Sequence, residues 1–280
     1  MTWLDVFTAT PLQGNPLPVV VDGDGLDDTT MLAFTRETGQ VETTFVQAPT
    51  VADATYRNRI WDAEGEMSFA GHPSLGTAVA VARAGGERAA EYVQQTPAGL
   101  QVVAVEVRDD DLARASVVQE PAEFGPELDP AVPLRAVGID PASARQDVPA
   151  QVVWTGTQHL QCLVGDRDAL TTTAPDAAAL RALQDEHGVT AVYVSWWDGG
   201  QAARARSFFA VDGRWGEDAA TGSAAGPLLA LLHARFGAER LEVEQGVELG
   251  RRSVLSCDLT GGRVRVAGDV VVVAEGAVRL

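Results

Sequence analysis

The sequence predicts an α+β protein of two pseudo-symmetric lobes, each a β-sheet or barrel wrapped round a central apolar helix, with the active site in the cleft between them. Three observations lead there. From Glu66 to Ala82 the chain passes through a polar turn, Gly71-His72-Pro73-Ser74, and then runs small and apolar with Thr77 as its one polar side chain. Such a helix is buried all round, and Pro73 fits its first turn, where a missing N–H costs nothing. From Glu217 to Leu232 the pattern returns: a glutamate five residues before a glycine, then an apolar helix. Roughly half of the 280 residues separate the copies, and self-similarity at half-length is the mark of a duplicated lobe.

The flanking elements fit this plan. Residues 3–8 alternate as a strand, a loop follows around Gly14-Asn15, and 17–21 gives a second strand ended by the acidic turn Asp22-Gly-Asp-Gly25. That turn lacks the glycine and glutamate of a calcium loop and reads as solvated. Residues 27–38 form an amphipathic helix with Met31, Leu32 and Phe34 inward, and 41–46 and 55–61 are strands, the latter turning Arg57 and Arg59 to solvent or an acidic partner. Strands near 91–95, 100–108 and 114–119 follow the first buried helix. The stretch 121–130, rich in Pro, Asp and Glu, reads as a linker. Beyond it come strands at 152–154 and 159–164, a helix at 176–185, and strands at 188–196 and 202–210. The second buried helix and closing strands at 240–245, 253–259 and 262–275 complete the chain. The expected division is an N-terminal lobe of 1–120, to which the last strand (about 268–280) returns, and a C-terminal lobe of 121–267.

Composition narrows the function. A net charge of −18 and a pI near 4.5 repel phosphate backbones and anionic lipid, so nucleic acid and membranes are poor partners. No stretch reaches membrane-span length, and the first residues carry no basic segment followed by an apolar run, so a cytoplasmic location is expected. All 21 basic residues are arginine. Without lysine there is no Schiff-base chemistry, no pyridoxal phosphate attachment and no phosphate-loop lysine. Cys162 and Cys257 stand far apart with no CxxC partner, which speaks for core positions rather than a disulfide or zinc cluster; no metal and no cofactor are expected.

Chemistry centres on Glu42. A carboxylate in the strand Val41–Val46, beside β-branched and aromatic neighbours, is open to desolvation, which raises its pKa and suits it to proton transfer; the alternative is a solvated strand face. Aligning 39–46 with 188–195 sets Ala191 opposite Glu42, so one lobe alone carries the carboxylate. One base suits removal and return of a proton on one face of a carbon, whereas a racemase needs two. At Gly71 and Gly222 two buried helices begin, and their N–H groups and positive dipole ends suit an anion.

Taken together, Asp5-Val-Phe with Gly14-Asn15-Pro16, Glu42-Thr-Thr-Phe45, Phe69-Ala-Gly-His-Pro-Ser-Leu-Gly-Thr77, Glu217-Asp-Ala-Ala-Thr-Gly-Ser223 and Glu244-Gln-Gly-Val-Glu-Leu-Gly-Arg251 resemble the phenazine-biosynthesis isomerase-like (PhzF-like) family, which shares the two-lobed fold of diaminopimelate epimerase. The resemblance runs in order over nearly the whole chain. It implies that Glu42 is the catalytic acid/base for a proton shift within a dihydro-hydroxyanthranilate-type substrate, without a cofactor. It further implies that His72, Asp218 and Ser223 hold or polarise the substrate, that Gly71 and Gly222 supply helix-start N–H groups, and that the protein is a homodimer. Diaminopimelate epimerase has a cysteine before each glycine; Ala70 and Thr221 stand there instead, which removes the thiol pair of two-base epimerisation. Ala219 replaces the family's usual proline.

Two other readings share these residues. An amino-acid epimerase or racemase would need Asp218 or His72 as a second base, and a catalytically silent small-anion-binding protein would need neither. Bland roles also exist: His72 or Asp218 as helix caps, and Ser223 outside any nucleophile elbow, since no glycine lies two residues before it. His159 falls on a strand expected to line the cleft, and His187 and His233 look peripheral.

Overall fold

A computed structural model describes every residue except Phe69, which opens the family-like stretch before Gly71 and lies outside the described residues. The chain divides into two compact units, residues 1–118 with 267–280, and residues 119–266. The first unit holds β1 (Thr2–Val6), β2 (Asn15–Val20), α1 (Asp28–Thr38), β3 (Thr43–Gln47), β4 (Tyr56–Trp61), β5 (Glu66–Met67), α2 (Gly71–Gly85), β6 (Ala89–Thr96), β7 (Gly99–Val107) and β8 (Leu112–Val118). The second holds β9 (Glu123–Leu128), α3 (Ala131–Ala136), β10 (Ala150–Trp154), β11 (Gln158–Val164), α4 (Ala177–His187), β12 (Ala191–Trp197), β13 (Ala202–Val211), β14 (Arg214–Asp218), α5 (Gly222–Phe236), β15 (Arg240–Gln245) and β16 (Ser253–Thr260). The last strand, β17 (Arg263–Glu275), carries the chain back to the first unit.

In the first unit β1 pairs with β2, β2 with β3, β3 with β4, β4 with β6, β6 with β7 and β7 with β8. Strand β17 then links β8 to β1. These eight strands form a closed barrel, which leaves no edge to pair with another chain; β5 is a short addition to β4. Helix α2 is buried along most of its length and packs on β1, β2, β3, β4, β6, β7 and β8. Small residues permit that approach: a Cβ on Gly76 would lie 2.6 Å from Leu17 Cδ2. Helix α1, capped by Asp27, buries Met31 with Val20, Phe45 and Trp61.

In the second unit β9, β10, β11, β12 and β13 pair in succession, β13 pairs with β15 and β15 with β16, and β14 folds back on β13. A tight turn at Gly261-Gly262, both at positive φ (58° and 78°), joins β16 to β17 as mirror-image hairpin turns require. Helix α5 is buried and packs on β10, β11, β15 and β16, and α4, capped by Asp176, covers β12, β13 and β14.

Two expectations are corrected. The stretch 121–130 is not a linker, because Glu123–Leu128 is strand β9, paired with β10. Its register shifts between Gln151 and Val153, whose partners are Glu127 and Phe124. Gly125 and Pro126 therefore share a bulge, where a residue without an N–H breaks no ladder bond. Glu42, for its part, precedes β3 rather than lying in it. Among the described residues no helix is long and apolar enough to cross a membrane.

Candidate active site

In the first unit the chain leaves α1 through Gly39 in the left-handed conformation and re-enters the barrel at β3, where Thr43 and Thr44 are fully buried. Glu42, just before them, is 8% exposed; it is not on a solvated face. The Thr77 hydroxyl donates to Thr44 Oγ1 at 2.8 Å, which ties β3 to α2 beside the helix start. On α2, His72 is 4% exposed and its Nε2 lies 3.6 Å from Glu42 Oε2. Asn15 Nδ2 lies 3.1 Å from His72 Nδ1. Burial pushes the His72 pKa down to about 3, against a weaker opposing hydrogen bond with the Pro16 backbone. Near neutrality the imidazole is therefore uncharged, and the Glu42 contact joins a carboxyl group to a neutral ring rather than forming an ion pair. Asn15 is positioned by its neighbour: Gly14 has φ +68°, and a Cβ there would collide with Val6 O and Thr8.

The helix starts themselves are distinctive. Surface helices α1 and α4 are closed by Asp27 and Asp176, whose carboxylates accept from first-turn N–H groups. Before α2 and α5 the N-cap residues are Ala70 and Thr221, and neither side chain makes a cap bond. The N–H groups of Gly71 and Gly222 stand at the starts of apolar helices, the usual setting for an anion.

The spacing that reveals the repeat has a structural counterpart in each unit. Arg59 on β4 grips Glu66 through Nε and Nη2 and lies 5.5 Å over the Trp61 ring. Arg206 on β13 grips Glu217 through Nε at 2.8 Å and Nη2 at 2.7 Å and lies 4.9 Å over the Phe208 ring. The register agrees too, for Trp61 faces Glu66 and Phe208 faces Glu217. A fork of two parallel bonds fixes the carboxylate in plane and direction, and in each unit that carboxylate begins the segment feeding the helix.

In the second unit Asp218 ends β14 and is half-buried. Thr221 Oγ1 donates to Asp218 Oδ2 at 2.7 Å. Gln245 spans the turn: its Nε2 donates to Asp218 O at 2.8 Å and Thr221 Oγ1 at 3.0 Å, while its Oε1 accepts from Thr221 N and Tyr193 Oη. Ser253 Oγ donates to Ala219 O at 2.9 Å, and Gly246, at φ +74°, lets Ala219 O approach where a Cβ would sit. Ser223, in the first turn of α5, has its Oγ 3.0 Å from His159 Nε2. Gln119 Nε2 donates to Gly222 O at 2.9 Å, and Gly226 is glycine because a Cβ there would overlap the Gln119 carboxamide.

The structure brings Glu42, His72 and Gly71 together in one unit, and Asp218, Gly222 and Ser223 together in the other. Sequence reasoning assigned no role to Asn15, Gln245, Tyr193 or Gln119. Asn15 and Gln245 each adjoin a glycine in a family-like motif, which was a usable signal; Tyr193 and Gln119 carried none.

The phenazine biosynthesis-like protein family matches residues 4–276. Trans-2,3-dihydro-3-hydroxyanthranilate isomerase of Pseudomonas chlororaphis is 34% identical over 290 residues, covering 99% of this chain and 98% of that protein. A Pseudomonas aeruginosa structure described as a predicted epimerase superposes with a TM-score of 0.83 at 34% identity, covering 98% of this chain and 96% of the other. A Bacillus anthracis phenazine biosynthesis protein of the PhzF family gives a TM-score of 0.84 at 23% identity, over 100% of this chain and 98% of the other, a likeness of fold. By the reach of these matches, the chain belongs to the phenazine biosynthesis-like (PhzF-like) family and is an isomerase.

Proposed function

We propose that the chain is a cofactor-independent isomerase that moves a proton within a small carboxylate-bearing ring of the dihydro-hydroxyanthranilate kind, with Glu42 as acid and base. The observation that carries this reading is Glu42, buried beside a neutral His72 at the start of an apolar helix. In this reading the two units are pseudo-symmetric lobes, with α2 and α5 as their central helices. Homodimers and a cytoplasmic setting belong to the same reading.

In trans-2,3-dihydro-3-hydroxyanthranilate, the substrate named for the relative, the C3–H ends a diene conjugated with the carboxylate. Glu42 takes that proton, and the charge spreads along the ring towards the carboxylate. There the N–H groups of Gly71 and Gly222 and the Ser223 hydroxyl face it with donors already oriented, so little reorganisation opposes the step. Neutral His72 and Asp218 hold the ring's polar substituents. Protonated Glu42 then returns the proton further along the conjugated system on the same face, and the carboxylate is regenerated.

The test follows ring protons by NMR in deuterated water with that compound. Glu42→Gln is expected to lower turnover about 10²–10⁴-fold, the usual worth of a general base; undiminished turnover overturns the assignment. Asp218, a second carboxylate held at the other helix start, favours an epimerase as the second reading. Stereoinversion of a free amino acid with deuterium uptake, lost in both Glu42→Gln and Asp218→Asn, would select it instead.

A further inference from the structure

The side chain behind Ser223 sets which way its hydroxyl works. His159 is fully buried on β11, opposite Val153 of β10 and Ala191 of β12. Its Nε2 lies 3.0 Å from Ser223 Oγ, and its Nδ1 is buried with no hydrogen-bond partner among the described residues. Burial pushes its pKa down to about 3, so near neutrality the ring carries one proton. On Nδ1 that proton would be a buried donor with no partner among the described residues; on Nε2 it has an acceptor in Ser223. Orphaned buried N–H groups are rarer than under-satisfied acceptors, which selects the Nε2–H form.

A serine hydroxyl has one proton to give. With His159 donating to the oxygen, Ser223 has no call to spend its proton inward. The O–H then joins the N–H groups of the α5 start in offering donors, as an anion requires; the other tautomer would turn a serine lone pair towards it. We propose that His159 is a positioning residue which, as the Nε2–H tautomer, donates to Ser223 and thereby presents the serine O–H to the carboxylate of the substrate. This rests on the reading of Ser223 as a substrate contact.

Two measurements test it. In the unmodified protein labelled with ¹⁵N-histidine, long-range ¹H–¹⁵N correlation is expected to show His159 with Nε2 protonated and Nδ1 bare. The reverse pattern overturns the proposal and leaves the isomerase reading standing, because no substrate is involved. The second is calorimetric binding of 3-hydroxyanthranilate, an aromatic analogue unable to undergo the shift, against 2-aminophenol, which lacks its carboxylate. His159→Leu is expected to weaken the acid about fivefold, one neutral hydrogen bond's worth, and to leave 2-aminophenol unchanged. His159→Gln, whose amide can donate from the same side, restores the affinity. In a Ser223→Ala background His159→Leu has no further effect. Equal weakening of both ligands, or no restoration by Gln, marks a merely structural histidine and overturns the proposal. Should Ser223→Ala leave acid binding unchanged while Glu42→Gln still stops proton exchange, Ser223 is no substrate contact and the proposal falls without the isomerase.

Discussion

At the start of α5 one side chain serves two neighbours. Thr221 Oγ1 gives its proton to Asp218 and accepts from Gln245, so the carboxylate and the turn before the helix are fixed by the same hydroxyl. Thr221→Val keeps the shape and removes both bonds. Gln245 Nε2 keeps Asp218 O as an acceptor, so the expected loss is that of a buried hydrogen bond and a partly satisfied carboxylate, about 1–3 kcal/mol in urea unfolding. Turnover should fall with it, since Asp218 loses the donor from Thr221; an unchanged unfolding midpoint would show the hydroxyl to be incidental. Thr221 and Asp218 could be picked out from the sequence because they share one short motif. Gln245 could not be given its task, because it reaches them from a strand beyond the helix.

At the scale of elements, each buried helix is fed by a strand end held through an arginine–glutamate fork. The two forks differ in burial: the Glu217 side chain is 3% exposed and that of Glu66 is 23%. Arg206 also donates to Leu170 O, while Arg59 shares itself with Asp28. Leaving a fully buried charge without its partner costs about 3–5 kcal/mol, and partial exposure screens the loss. Glu217→Gln is therefore expected to destabilise by about 3–5 kcal/mol and Glu66→Gln by about 1 kcal/mol, read from denaturant midpoints. Equal effects would show that burial does not set the strength of these pairs. The glutamate-to-glycine spacing of the repeat was visible in the sequence; the acidic partner of Arg59 was foreseen only as one of two options. Strand β9 was missed altogether, because Pro126 argues locally against a strand while pairing with β10 and a bulge overrule it.

For the molecule as a whole, His72 and His159 couple folding to pH. Both are buried neutral, with pKa values lowered from 6.5 to about 3. Between those values the unfolded chain binds protons that the folded one refuses, so stability is complete above about pH 6.5 and is lost as pH falls towards 3. Each imidazole contributes about 1.4 kcal/mol per pH unit within that window. Urea unfolding between pH 6.5 and 5 should therefore be less steeply pH-dependent in His159→Gln than in the unaltered chain, and identical slopes would mean that His159 protonates without cost in the native state. The sequence by itself determined the two apolar helices, the segments that open them and the residues with the chemistry to act there, because helix burial and helix starts are written in contiguous residues. The return of the last strand to the first unit was expected from the sequence; only the tertiary structure decided that β17 closes the barrel between β8 and β1, which arginine holds which glutamate, that Gln245 locks the Asp218 turn, and that His159 stands behind Ser223. Those pairings depend on strand register between distant stretches of chain, and register is a property of the packed sheet, not of any one segment.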